Sequence, residues 1–350
     1  MTKKGVELSG IKEIARRANV SIATVDRVLH KRSGVSAQTR EKIDRIIAEL
    51  NYQPNLLARR LASRKIINLA TLIPKVSGET SFWEAPLKGI KQAESEIRQY
   101  GIRVEKYFFD QDDCSSFVKQ TQLILKSNFD GILMAPTFTE EAILFTNLLK
   151  ERNIPYVFIN SDIPNQDSLC YIGPHLYRSG YLAANLISYL VREEDRILVV
   201  NIATGYDLIL RKEEAFIEYF RDNRKHNKIS RVNIHEMDYA SMARALSNEL
   251  SQYNDVKLIF VASSRVSMVA HYLKESKKDI LLVGYDFLKE NIEYLKEGII
   301  DFLICQKPVD QAYKGIMALY QKLALEATVE EVQFMPIDII TRENYIFYQN

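Results

Sequence analysis

Three cysteines in 350 residues, Cys114, Cys170 and Cys305, are too few and too far apart to form a disulfide framework. A reducing cytoplasm is the expected compartment. With 13 glycines and 9 prolines the chain is not collagen-like, and 47% hydrophobic against 26% charged residues is the mix of a folded globular protein, not a disordered one. No apolar run approaches the ~18–20 residues that cross a bilayer. The opening residues, MTKKGVELSG, lack the apolar stretch of a signal peptide. G-x-x-x-x-G-K-[ST] and G-x-G-x-x-G are both missing, which argues against nucleotide hydrolysis and dinucleotide binding. There is no G-x-S-x-G elbow. The five histidines show no H-x-x-x-H or H-E-x-x-H spacing, so neither a metal site nor a cofactor is expected. Net charge is nearly absent too, at +2.

That near-neutrality conceals a division. Residues 1–65 hold 15 Lys/Arg and 6 Asp/Glu, a net of +9, so the remainder, with 32 and 39, is at −7. A basic head on an acidic body points to nucleic acid as a partner of the head.

Within the head, Ile11, Ile14, Ala15 and Ala18 fall at i, i+3, i+4 and i+7, one apolar helix face. Asn19-Val20-Ser21 follows. Asn tolerates the left-handed conformation of a tight turn, and Ser21 can cap a second helix. Val25, Val28 and Leu29 give that helix its own apolar stripe. Two short helices so joined form a helix-turn-helix, whose second helix enters the major groove with its N-terminal side chains at base edges. Ile22, Ala23, Thr24, Asp26 and Arg27 are the candidates. Arg can bond guanine bidentately, whereas Ile and Ala make apolar contacts only. Asp26 beside phosphates needs Arg27 as a partner or a cytosine amino group as a donor. A third helix, from Ala37 to Leu50 and capped by Ser36, closes the core with Ile43, Ile46, Ile47 and Leu50. Pro54 then breaks the helix, and a short basic helix follows at about 56–63.

The run IKEIARRANVSIATVDRVLHKRSGVSAQTREKIDRIIAELNYQPNLLARRLASR resembles the DNA-binding head of the lac-repressor (LacI/GalR) family over its whole length. The resemblance implies that two hinge helices of a homodimer pack in the minor groove, with Leu61 wedged between base pairs beside Ala58, and with Asn55 and Arg59 also among the DNA-binding residues. Two positions depart from the pattern: Asn19 replaces the usual turn glycine and Asp26 the usual serine.

From residue 66 onward, strand-like runs at 67–73, 103–109, 131–135, 156–160, 196–202, 232–235, 258–262, 280–285 and 302–305 alternate with helical stretches such as 86–100, 117–127, 140–151 and 179–191. Repeated β-α units mean parallel sheets covered by helices, and this number fits two doubly wound lobes. The expected architecture is a small all-α head (1–65) and an α/β body (66–350). One lobe takes about 66–172 and 307–327, the other about 173–306 and 328–350. Such folds bind ligands at the carboxyl ends of strands. There stand Phe82 and Trp83, whose faces can stack on a sugar ring, then Asp162, Arg211, Ser263, Asp286 and Gln306, which suit vicinal hydroxyls. The body is similar to the effector domain of the same family and to ribose-type periplasmic sugar-binding proteins. That likeness carries sugar contact to Phe82 or Trp83, Asp162, Arg211 or Lys212, Asp286 and Gln306, with a weaker role for Ser263. His175 is expected to cap the helix after it.

The resulting expectation is a cytoplasmic, nucleoid-associated, homodimeric transcriptional repressor that reads a near-palindromic operator and is controlled by a small polar ligand, a sugar or sugar derivative. It would be neither a membrane protein nor an enzyme. The alternative is the solute-binding protein of a sugar transporter. A glycosidase built on Asp162 and Asp286 is disfavoured, because nothing raises a general acid above a sugar-binding carboxylate. The sequence leaves open the effector's identity, its sign of action and the operator.

Overall fold

The computed structural model describes residues 10–29, 31–50, 52, 66–77, 81–202, 207–223, 225–235 and 238–348. The chain divides into two compact units, Met1–Ser63 and Arg64–Asn350.

In the first unit, α1 (Ile11–Ala18), α2 (Ile22–Leu29) and α3 (Ala37–Glu49) surround one small core. Ile14, Ala15, Ala18, Val25, Val28, Ile43 and Ile46 are buried, with Ile11, Leu29, Ile47 and Leu50 packed around them. These are the residues the helical spacing selects. Asn19 takes the left-handed conformation (φ 56°) at the end of α1. There the Val20 amide closes on the Ala15 carbonyl (3.0 Å), satisfying an orphan carbonyl of the last turn. Asparagine thus does the conformational work of the expected glycine. Ser36 caps α3 by accepting from the Thr39 amide at 3.2 Å.

The second unit holds two six-stranded sheets. The first has the order β11-β5-β4-β3-β1-β2, from β1 (Ile67–Pro74), β2 (Ile102–Phe109), β3 (Gly131–Met134), β4 (Tyr156–Ile159), β5 (Cys170–Gly173) and β11 (Val332–Phe334). The second runs β12-β10-β9-β8-β6-β7, from β6 (Arg196–Ile202), β7 (Lys228–Ile234), β8 (Val256–Val261), β9 (Leu281–Tyr285), β10 (Phe302–Cys305) and β12 (Asp338–Ile340). Central strands such as ILVVNI are buried along their whole length, because helices cover both faces. The edge strand β2 alternates buried and exposed over Ile102, Arg103, Val104 and Glu105.

Helices α4 (Glu84–Ile97), α5 (Cys114–Lys126), α6 (Thr139–Glu151) and α12 (Pro308–Ala324) accompany the first sheet. With the second go α7 (Leu176–Ile187), α8 (Asp207–Asp222), α9 (Tyr239–Gln252), α10 (Val266–Ser276) and α11 (Lys289–Lys296). His175 caps α7 through Nδ1, accepting from the Arg178 amide at 3.3 Å.

The structure departs from expectation in three ways. β5, β11 and β12 have only four, three and three residues, too short for a periodic signal. β12 lies antiparallel to β10, pairing Leu303 with Ile340. The segment 328–350 is not wholly in the second lobe: Val332–Phe334 pairs with Tyr171–Gly173 in the first sheet, and the chain crosses only afterwards to reach β12. A run of three residues is assigned to a sheet by its neighbours, not by its own pattern.

Candidate functional site

The head presents the outer face of α2. Val25 and Val28 are buried, while Ser21, Ile22, Ala23 and Arg27 are exposed and Thr24 and Asp26 partly so. Ser21 Oγ accepts from the Thr24 amide at 3.1 Å and meets Thr24 Oγ1 at 2.9 Å, so both hydroxyls serve the start of the helix. Asp26 forms an ion pair with Arg32 at 3.4 Å, a partner that sequence reasoning did not name. On α1, Glu13 accepts from Arg16 and Arg17 at 2.8 Å, which holds its carboxyl well below the usual range, at about 2. Those two arginines are therefore already engaged on the protein surface. The expected hinge helix 56–63, with Asn55, Ala58, Arg59 and Leu61, lies outside the described residues.

In the body, six of the expected ligand residues follow carboxyl ends of strands, and the seventh, Arg211, lies on α8. Phe82 and Trp83 follow β1. Both are buried, their rings meet edge to face at 5.1 Å, and Trp83 Nε1 donates to Gln111 Oε1 at 3.2 Å. Asp162 follows β4 and is half-buried; desolvation raises its pKa, opposed by the Ile163 amide and by Arg211. Arg211 thus acts electrostatically on Asp162, and also on Tyr171 of β5.

A second group forms around Asp286. This residue ends β9 in the left-handed conformation (φ 73°). Gln306 Nε2 donates to its Oδ1 at 3.4 Å. Burial pushes its pKa up to about 6, opposed by the neighbouring Lys212 charge. Lys212 itself is buried, with Nζ 3.8 Å from the centre of the Tyr285 ring, and desolvation lowers its pKa to about 8. The sequence left Arg211 and Lys212 as alternatives. Their electrostatic partners differ: Arg211 acts on Asp162 and Lys212 on Asp286. No periodic signal could separate neighbours on one helix.

Two polar atoms here, Ser263 Oγ and Gln306 Oε1, are buried with no hydrogen-bond partner among the described residues. Buried polar groups are nearly always paired, so such orphans mark where a polar ligand group or water is to be met. Asn160 (φ 70°) and Lys307 (φ 54°), which follow β4 and β10, share the strained left-handed backbone of Asp286. Non-glycine residues held in that region cluster at functional sites.

Sequence reasoning missed three buried polar residues here. Gln311 of α12 accepts from the Asn160 amide at 3.0 Å and donates to the Gln306 carbonyl at 2.7 Å, fixing the ends of β4 and β10 together. Asn291 of α11 is fully buried behind Asp286. Arg265, six per cent exposed, follows Ser263 and Ser264. Nothing in periodicity singles them out; Gln311 and Asn291 act through contacts between separate loops, which no local pattern reports. A cavity of about 300 Å³ adjoins Asp162, lined also by Gln166, Tyr171 and Glu331. A larger one, about 820 Å³, opens where β1, β2 and β3 begin and contains none of the expected ligand residues. Among the described residues no group of three or more His, Cys, Asp or Glu could hold a metal ion, and no helix is long and apolar enough to cross a membrane.

A helix-turn-helix followed by two doubly wound lobes with polar strand ends defines a class of two-part proteins, and comparison with known proteins agrees. The profile of the bacterial regulatory proteins of the lacI family matches residues 10–55, and that of the periplasmic binding protein domain matches residues 70–327. A crystal structure from Bacteroides fragilis, provisionally named a LacI transcriptional regulator, is 30% identical with a TM-score of 0.75, covering 81% of this chain and 100% of that one. The chain belongs to the lacI family of bacterial regulatory proteins, with a periplasmic-binding-protein body. It is 32% identical over 159 residues to ExuR of Bacillus subtilis (strain 168), named a probable HTH-type transcriptional repressor. That match covers 45% of this chain and 44% of ExuR, so the chain spans less than half the length of this curated relative. A transporter solute-binding protein from Burkholderia graminis, in complex with D-arabinose, shares the fold at 18% identity, with a TM-score of 0.73 over 82% of this chain and 99% of that one.

Proposed function

We propose that this protein is a DNA-binding transcriptional repressor whose operator affinity is set by a small polyhydroxylated ligand, a sugar or sugar derivative, held between the lobes. The observation that carries the reading is the joining, in one chain, of a lacI-type head to a cleft with orphaned buried polar atoms at Ser263 and Gln306. In the head, Ile22, Ala23, Asp26 and Arg27 meet base edges while Ser21 and Thr24 hold the helix end. Asn55, Ala58, Arg59 and Leu61 of the hinge segment take the minor groove. The chain acts as a homodimer in the cytoplasm, on the nucleoid, and dimer symmetry makes the operator near-palindromic.

In the body, Asp162 and Arg211 on one side, and Asp286, Lys212, Gln306 and Ser263 on the other, offer acceptors and donors to adjacent hydroxyls. Phe82 and Trp83 supply the apolar wall. The D-arabinose held by the Burkholderia graminis protein belongs to this ligand class. Ligand shifts DNA affinity only by its preference for one lobe arrangement over another, typically ~1–3 kcal/mol, and release of DNA is the expected sign. No step of the scheme needs bond-making chemistry, so the protein is not an enzyme.

Two measurements test the reading. Fluorescence anisotropy with genomic DNA fragments at 50 and 200 mM salt should show affinity falling ~10³–10⁵-fold, as expected of ~6–10 phosphate contacts. Thermal-shift screening against pentoses, hexoses, hexuronates and inositols should find a stabiliser; saturation at ~100 times Kd raises stability by ~2.7 kcal/mol. Absent or salt-insensitive DNA binding with retained sugar binding would refute the repressor and leave the solute-binding alternative.

A further inference from the structure

Two neighbouring residues in the first turn of α11 reach in different directions. Glu290 reaches the other lobe: its carboxylate accepts from Ser81 Oγ at 3.0 and 3.1 Å and from the Ser81 amide at 3.3 Å. Ser81 belongs to the first lobe and immediately precedes Phe82 and Trp83. Asn291 points inward. Its Nδ2 donates to the carbonyls of Tyr285 and Asp286, both at 3.0 Å, and of Ser264 at 3.1 Å. Its Oδ1 accepts from the Ser267 amide at 3.2 Å. One fully buried amide thus joins the strand-end loops that follow β8 and β9, the loops carrying Ser263 and Asp286.

We propose that α11 is the closure relay of the cleft, with Glu290 as the clasp to the opposite lobe and Asn291 as the positioning residue that ties the clasp to the ligand-bearing loops. The proposal deepens the ligand-controlled reading above and rests on it for the relay's purpose. Adjacent residues of a helix point about 100° apart, so one rigid turn can serve two surfaces. The Asp286 carbonyl is bonded to Asn291, so any reorientation of Asp286 moves the start of α11. Hydrogen bonds at 3.0–3.3 Å already lie at the long end of the ordinary range, so a displacement of about half an ångström carries them beyond it, and Glu290 then releases Ser81. Conversely, closing the clasp draws the segment bearing Phe82 and Trp83 toward the lobe that carries Asp286. The carboxylate receives two donors from one serine, an arrangement that charge strengthens and that a single substitution can reverse.

The test is amide hydrogen exchange on the full chain, read by mass spectrometry in buffer without sugar or DNA. Its outcome therefore does not depend on whether the regulator reading holds. Ser81→Asp places a second carboxylate against Glu290. Exchange in peptides covering 81–90 and 286–296 should rise about tenfold, the equivalent of ~1.4 kcal/mol for a lost charge-assisted bond. The rise should extend to 262–268, because Asn291 joins that loop to the same turn. Ser81→Asp combined with Glu290→Lys should restore protection in all three peptides. Unchanged exchange at 286–296 in Ser81→Asp would overturn the clasp. A rise at 286–296 that stops short of 262–268 would overturn the relay. Asn291→Asp, which loses the donor while keeping the size, should loosen 81–90 as well as its own loops; a purely local structural role would leave 81–90 unmoved.

Discussion

Gly180→Ala tests how the second lobe positions its buried cation. Gly180 lies in α7 where that helix crosses α8. A Cβ added there would fall 2.0 Å from the Lys212 carbonyl oxygen, 2.7 Å from its carbon and 2.8 Å from its Cα. All three are backbone atoms of a helix, so no side chain can swing aside. Ordinary contact needs about 3.4 Å, so the helices must part by roughly 1.4 Å. Parting loosens the cluster in which Ala183, Ala184 and Ile187 meet Phe216 and Tyr219. Overpacking of this kind costs ~1–3 kcal/mol or more, and the gain in helix propensity of alanine over glycine returns at most ~1 kcal/mol. With a rigid obstruction the upper part of the range is expected, a net loss of about 2–3 kcal/mol. At ~2–4 °C per kcal/mol for a body of this size, Tm should fall by roughly 4–12 °C. Lys212 Nζ, 3.8 Å from the Tyr285 ring centre, moves with its backbone, so ligand affinity should fall about tenfold or more. Thermal unfolding and titration of the sugar found by screening are the assays. Gly10→Ala, whose Cβ meets nothing within 4 Å, sits at the N-cap of α1 in the other compact unit; it should leave the melting of the body and its ligand affinity unchanged and is the control. A Gly180→Ala protein as stable as the parent and binding with equal affinity would refute the argument.

Asp286→Asn should change the pH dependence of stability. In the folded protein the Asp286 pKa is raised to about 6 from 3.8, so the native state holds a proton that the unfolded chain releases, and stability is lost as pH rises through that window. The asparagine variant should therefore gain on the parent by up to about 3 kcal/mol between those pH values, read by urea unfolding. The same variant, having removed the counter-charge, should move the Lys212 titration below its present value of about 8, as seen by NMR of its side chain. Ser36→Ala removes the oxygen that accepts from the Thr39 amide and should lower the stability of the head by ~1 kcal/mol, measured from its melting transition. Leu61→Ala should weaken operator binding about tenfold or more while leaving sugar binding intact, and equal operator affinity would remove the minor-groove wedge.

Much of the head was legible in the sequence because its information is local. The spacing of Ile14, Ala15, Ala18, Val25 and Val28 selects the buried faces, and Asn19 and Ser36 carry turn and cap chemistry in their own side chains. The central strands of the body are equally legible, since burial on both faces turns each into an unbroken apolar run. The short strands β5, β11 and β12 are not, because a few residues pair only when a neighbour offers an edge.

The candidate cleft divides along the same line. Sequence alone determined which strand ends carry Asp162, Ser263, Asp286 and Gln306, and that a basic head precedes an acidic body. Only the tertiary structure decided that Lys212 acts on Asp286 while Arg211 acts on Asp162, that Asp286 holds a raised pKa, and that Gln311, Asn291 and Glu290 hold the loops in place. Periodicity reports on a residue's own helix or strand. Desolvation, ion pairing and loop bracing arise between residues far apart in the chain, and their sum exists only once the fold has closed around them.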